Sequence, residues 1–156
     1  MPEKDAIHAR PGMLLTAVPF AAALKMAVLE IAGPRVIAKV PYDAKLVGNP
    51  ETGVIHGGVI TALLDNACGI AVAGATGMPG TFATLDLRID YMKPATPGED
   101  IFAFAECYKV TRNIAFARGT AYQGDRDDPI ATCAAAFMLA TKSALGANLA
   151  PKRAAP

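Results

Sequence analysis

The longest apolar segment of the chain, GVITALLDNACGIAVAG, runs from Gly58 to Gly74 with one acid, Asp65, in its middle. Its length and lack of alternation predict a helix from Gly58 to about Gly74, stopped by the breakers of GATGMPG. A helix that is apolar nearly all round has to be surrounded on most sides. Beyond it the period changes to two. In FATLDLRIDYM, Ala83, Leu85, Leu87, Ile89 and Tyr91 alternate with Thr84, Asp86, Arg88 and Asp90, the pattern of a half-buried strand. IFAFAECYKV and IAFARGTAY read as two strands joined by the hairpin-length TRN, and IATCAAAFMLA as a last strand after the turn QGDRDDP. Ahead of the apolar helix, Pro19 to Ala27 fits a short helix, Val28 to Ala32 and Arg35 to Pro41 fit strands about a Gly33-Pro34 turn, and KLVGNPETG reads as a loop. The order is helix, two strands, one long helix, then four strands in hairpin sequence. This predicts an α+β fold in which a curved antiparallel sheet wraps the long helix.

A single domain is expected over residues 13–142, with flexible tails at 1–12 and at the Ala/Pro-rich 143–156. At 156 residues one core is large enough to fold alone. The hydrophobic content of 53% is high for that size and points to tight packing, with room for a buried subunit interface. Met13 to Gly33 is apolar enough to resemble a leader or a span, but Pro19, Lys25 and Glu30 interrupt it and the start carries mixed charge. A net charge of +1, with basic residues scattered, argues against nucleic acid and an anionic membrane as partners. Cys68, Cys107 and Cys133 lie far apart in apolar surroundings with no metal-ligand spacing, so they read as small core residues in a reducing compartment. No metal is expected, and a cytoplasmic location is. No nucleotide-binding glycine motif occurs.

The chemistry concentrates at the long helix. His56-Gly57-Gly58 opens it, and glycines at a helix start allow close backbone approach. First-turn N–H groups are unpaired and carry partial positive charge, so they suit an oxygen that becomes negative during a reaction. A plain loop-to-helix turn with a structural His56 fits the same residues. Asp65 has no Lys or Arg anywhere between Gly53 and Gly80 to pair with, and Thr61 is the one local hydroxyl a turn away. A buried carboxylate without a cation suits general-base or nucleophilic work, or caps a neighbouring loop; the residues alone leave both open. Gly58 and Asp65 are seven positions apart, about 10 Å along a helix. One carbonyl can hardly reach both on one helix, so a two-fold pair of antiparallel helices is the arrangement that joins them.

NPETGVIHGGVITALLDNACG, followed by ATLDLRIDYMKPATPGEDI, resembles the hotdog-fold thioesterase family in its PaaI-like branch. The resemblance covers about residues 20–140 and rests on HGG with an acid two turns on, paired with a TxDxxxxYxxP strand. It implies a hotdog fold: a curved antiparallel sheet of about five to six strands around a long central helix, with a short N-terminal helix. It further implies homodimers with composite active sites, homotetramers built from them, and hydrolysis of an acyl- or aryl-CoA thioester to free acid and CoA. No cofactor is then needed, coenzyme A being part of the substrate. Carried over, Gly57 supplies the N–H that polarises the thioester carbonyl, Asp65 is the catalytic carboxylate, and His56 positions the site. Asn49 resembles the loop amide that holds the carbonyl or the water, although NPETGVIHGG is one residue longer than the commonest spacing. Thr84 falls where relatives carry a hydroxyl near the acid. Gly58, Arg88, Arg112 and Asn113 are candidates for substrate and CoA contacts, with Lys109 and Arg118 as further cations.

Two other functions fit the same fold. An enoyl-CoA hydratase or dehydratase needs an acid–base pair, for which His56 and Asp65 are available. A non-catalytic acyl-CoA binding protein would bind without turnover.

Overall fold

The structure is a computed structural model that describes residues 18–77 and 82–140. Both expected tails, and the part of the breaker cluster at 78–81, lie outside the described residues. Helix α1 (Pro19–Ala23) leads into β1 (Ala27–Ala32) and β2 (Arg35–Val40). A 3-10 turn (Ala44–Leu46) and the small strands β3 (Val47–Asn49) and β4 (Val54–Ile55) precede the central helix α2 (Gly57–Thr76). The chain then forms β5 (Phe82–Tyr91), β6 (Ile101–Val110), β7 (Ile114–Tyr122) and β8 (Ala131–Leu139). Six strands make one antiparallel sheet in the order β1-β2-β6-β7-β8-β5, so β1 and β5 are its edges. This is the α+β hotdog fold that the pattern and the resemblance predict.

Three local expectations change. The first helix stops at Ala23, because Lys25 takes a left-handed φ of 54° and Ala27 already belongs to β1. The loop KLVGNPETG contains β3, which pairs with β4 in a two-stranded hairpin. The third change is in β5, where Thr84 pairs with Phe137 but Asp86 pairs with Ala136, leaving Leu85 as an extra residue. This β-bulge reverses the alternation ahead of it. Leu87, Ile89 and Tyr91 share the inner face as their pattern predicts, but Thr84 turns inward with buried Phe137 while Ala83 turns outward with exposed Met138. Leu85 stays exposed.

The core lies between α2 and the concave face of the sheet. Leu63, Leu64, Ala67, Cys68 and Val72 are fully buried against that face, where Ala103, Ala105, Ala115, Ala117, Ala121 and Ala131 stand. Small side chains let the helix sit close and the sheet curl around it. Close approach is most marked at Gly74, where an added Cβ would fall 2.0 Å from the carbonyl oxygen of Gly33 in the β1–β2 turn. The convex face carries the Arg35–Glu106–Arg118 ion pairs and a stacked Phe102–Tyr122 pair.

Candidate active site

The first turn of α2 is held from three sides. His56 is its N-cap, in extended conformation, and its Nδ1 accepts the Gly58 N–H at 2.9 Å. An N-cap side chain of this kind satisfies one of the four orphan donors of a helix. An added Cβ at Gly58 would fall 2.9 Å from that same Nδ1, so the cap needs glycine there. Because Nδ1 accepts, the imidazole proton resides on Nε2 when His56 is neutral. The Gly57 carbonyl accepts from the Tyr91 hydroxyl at 2.8 Å and from the Thr61 hydroxyl at 3.2 Å, and those two hydroxyls are 2.9 Å apart. With Gly58 occupied by the cap, the Gly57 N–H is the first-turn donor left without an acceptor among the described residues. Gly57 lines one of two open clefts at this turn, and His56 and Gly58 line the other. One, of ≈ 360 Å³, is lined by Val54, Gly57, Ile60, Tyr91 and Lys93. The other, of ≈ 420 Å³, is lined by Phe20, Leu24, Lys45, His56 and Val59.

Asp65 lies two turns further on and is half-buried rather than enclosed. Its Oδ1 accepts the Thr84 hydroxyl at 2.9 Å, a contact the β5 bulge makes possible by turning Thr84 inward. Thr61, the hydroxyl expected to serve the acid, is engaged by Gly57 and Tyr91 instead. Among the described residues no Lys or Arg pairs with Asp65, so one carboxylate oxygen remains available. Strand β5 thus runs alongside α2 in the opposite direction. Tyr91 sits at the first turn, Thr84 at Asp65 and Phe82 against Gly69.

The other candidates fall into different places. Asn49 is exposed at the end of β3, and its Oδ1 accepts the Glu51 N–H at 3.0 Å. Its amide nitrogen is left as a donor, but Asn49 bonds neither Asp65 nor Gly57. Arg88 pairs in register with Ala134, which opposes Arg118, so it stands on the convex face, where it bonds Asp90 at 3.0 Å. Within one protomer it is therefore separated from the helix by the sheet. Arg118 is committed to Glu106 on the same face. Arg112 and Asn113 form the β6–β7 turn, whose flanking Ile114 lies in the row of Met138 and Ala83, next to that of Phe137 and Thr84. This puts the turn at the Asp65 end of the sheet, far from the helix start.

All three cysteines are buried and free. The Sγ atoms of Cys68 and Cys133 are 3.7 Å apart. That contact, and then burial, push the Cys68 thiol far above its ordinary range, so it is an uncharged packing group.

The six-stranded sheet wrapped about α2 defines a hotdog protein. A family model described as the thioesterase superfamily matches residues 52–130. The chain belongs to this superfamily, in its PaaI-like branch. The structure is similar to a crystal structure from Pseudomonas aeruginosa, at 45% identity and a TM-score of 0.73, covering 80% of this chain and 93% of that one. It is similar to a point mutant of the phenylacetic acid degradation protein PaaI from Thermus thermophilus, at 25% identity and a TM-score of 0.68, covering 78% and 98%. In sequence it is similar to the medium/long-chain acyl-CoA thioesterase YigI of Escherichia coli, 31% identical over 86 residues, 47% of this chain and 55% of that protein. The matched stretch spans about half the length of such relatives.

Tyr91 is the site residue that sequence reasoning left without a role. The signal was present in the TxDxxxxYxxP run, where a tyrosine on the inner face of a strand needs a partner for its hydroxyl.

Proposed function

We propose that the protein hydrolyses acyl-CoA thioesters to the free acid and CoA. The observation that carries this reading is Asp65, free of any cation among the described residues and oriented by Thr84, on the helix whose first N–H is unoccupied. In the proposed reaction the thioester oxygen takes the Gly57 N–H, which stabilises the charge that develops on it. Asp65 removes a proton from a water held by Thr84, and that water attacks the carbonyl carbon. Collapse of the tetrahedral intermediate breaks the C–S bond and releases CoA, which receives the proton. Direct attack by Asp65, followed by hydrolysis of the resulting anhydride, gives the same products.

Eight positions separate Gly57 from Asp65, about 12 Å along one helix. The proposed site therefore takes Gly57 from one protomer and the partner subunit's Asp65. The unpaired edge of β5, with Leu85, Tyr91 and Met92 exposed, supports pairing with a second copy, and two such dimers would make the tetramer. Arg112 and Asn113, at the Asp65 end, are the proposed contacts for CoA phosphates. The name of YigI supports a medium or long acyl chain, with the clefts beside Gly57 receiving it. Free cysteines support a reducing compartment, and we place the reaction in the cytoplasm.

His56 bonds Gly58 and not Asp65, so one protomer holds no His–Asp pair for hydration of an enoyl group. A thiol-release screen over short, medium, long and aryl acyl-CoAs, with an enoyl-CoA in parallel, tests the reading. Release of free thiol supports it. Loss of the conjugated absorbance without thiol release would show a hydratase, and binding without turnover a sensor.

A further inference from the structure

We infer that Tyr91 is a positioning residue for the carbonyl-polarising N–H, acting through the Gly57–Gly58 peptide; this rests on the proposed hydrolysis. That peptide is held at both ends. Its oxygen accepts from the Tyr91 and Thr61 hydroxyls at 2.8 and 3.2 Å, and its N–H donates to His56 Nδ1 at 2.9 Å. A peptide is planar, so fixing its two ends fixes the Cα on which the free Gly57 N–H depends. Without such a bracket this start would be the loosest part of α2, since two successive glycines have the widest backbone freedom and helix ends fray. Thr61 belongs to the same helix and moves with it. Tyr91 comes from β5, anchored by its register with Ala131, and so ties the first turn to the sheet. An added Cβ at Gly57 would lie 3.3 Å from the Tyr91 hydroxyl oxygen, which shows how closely the ring end approaches. The ring itself is about half exposed, so its hydroxyl rather than its burial makes the link. The same bracket holds the Gly58 N–H on Nδ1 and thereby fixes the His56 tautomer, with Nε2 left to donate.

Y91F removes the hydroxyl and keeps the ring. The expected result is a kcat about tenfold lower, equivalent to about 1.4 kcal/mol, with KM changed by less than about twofold. The melting temperature should stay within about 2 °C of wild type. In 15N-labelled protein the Gly57 and Gly58 amide resonances should move more than those of Asp65 and Thr84. An unchanged kcat overturns the inference, as does a loss of rate matched by a lower melting temperature or by stationary Gly57 and Gly58 resonances. If wild type releases no thiol from any acyl-CoA, the hydrolysis reading falls first and takes this one with it. If wild type is active and D65N is dead while Y91F equals wild type, this inference alone falls.

Discussion

Gly57 offers a way to delete a single N–H while leaving the helix in place. It is the first residue of α2, the position where proline is best tolerated, because the missing N–H is an orphan anyway and the ring's φ suits a helix. The preceding residue, His56, has φ −61° and ψ 133°, the extended conformation that a residue before proline prefers. G57P should therefore fold, keep the His56 cap and lack the donor. The side cost is steric: an added Cβ meets the Tyr91 hydroxyl oxygen at 3.3 Å, its Cζ at 3.4 Å and its Cε1 at 3.5 Å, so the ring must yield by a few tenths of an ångström. G57A carries the same Cβ and keeps the N–H, and so isolates that cost. Removing one oxyanion donor typically lowers kcat by about 10²–10³, or about 2.7–4 kcal/mol. Steady-state thiol release from the best acyl-CoA should show that loss for G57P and less than about tenfold for G57A, while circular-dichroism melts show both folded. Equal kcat values for the two variants would refute the role of the N–H.

Other outcomes follow from the same geometry. Hydrogen bonds to charged groups contribute about 1.5–3 kcal/mol, and Thr84 is exposed, so T84V should sit at the low end with roughly a tenfold loss of kcat that T84S largely restores; a T84S as impaired as T84V would contradict this. Co-expressed D65N and G57P chains should recover roughly a quarter of the wild-type rate, since half the dimers are mixed and each carries one intact composite site; no recovery would place the whole site in one protomer. Lys39 and the Tyr42 N–H hold the Asp100 carboxyl below its ordinary value. With the folded value depressed, that stabilisation is present above about pH 4 and is lost as pH falls through it. D100N should therefore lower the melting temperature at neutral pH, with the gap narrowing as pH falls below about 4; a gap constant with pH would count against it.

Much of this architecture was legible in periodicity. The all-round apolar run required a wrapped helix, and the period-two runs marked β5 to β8 within a residue or two of their ends. What periodicity could not show is the bulge at Leu85, because an extra residue is defined only against the partner strand's register. Alternation therefore put Thr84 outside and Leu85 inside, and only the resemblance pointed Thr84 at the acid. His56 was legible as the residue before the helix, but its Nδ1 cap depends on a side-chain rotamer. The β3–β4 hairpin was hidden by its Gly, Asn and Pro content, which reads as loop even where two short strands pair. Tyr91 escaped a role because its partner, the Gly57 carbonyl, is backbone and leaves no mark in the residue types.

Everything proposed for the reaction depends on Asp65 carrying the chemistry. The decisive comparison is kcat for wild type and D65N on the acyl-CoA that wild type turns over best, since asparagine keeps the size and the Thr84 contact but cannot take a proton. A loss of at least about two orders of magnitude is expected, as for an acid–base group, with fold and assembly retained. A D65N protein that hydrolyses this substrate at the wild-type rate would remove Asp65 from the mechanism.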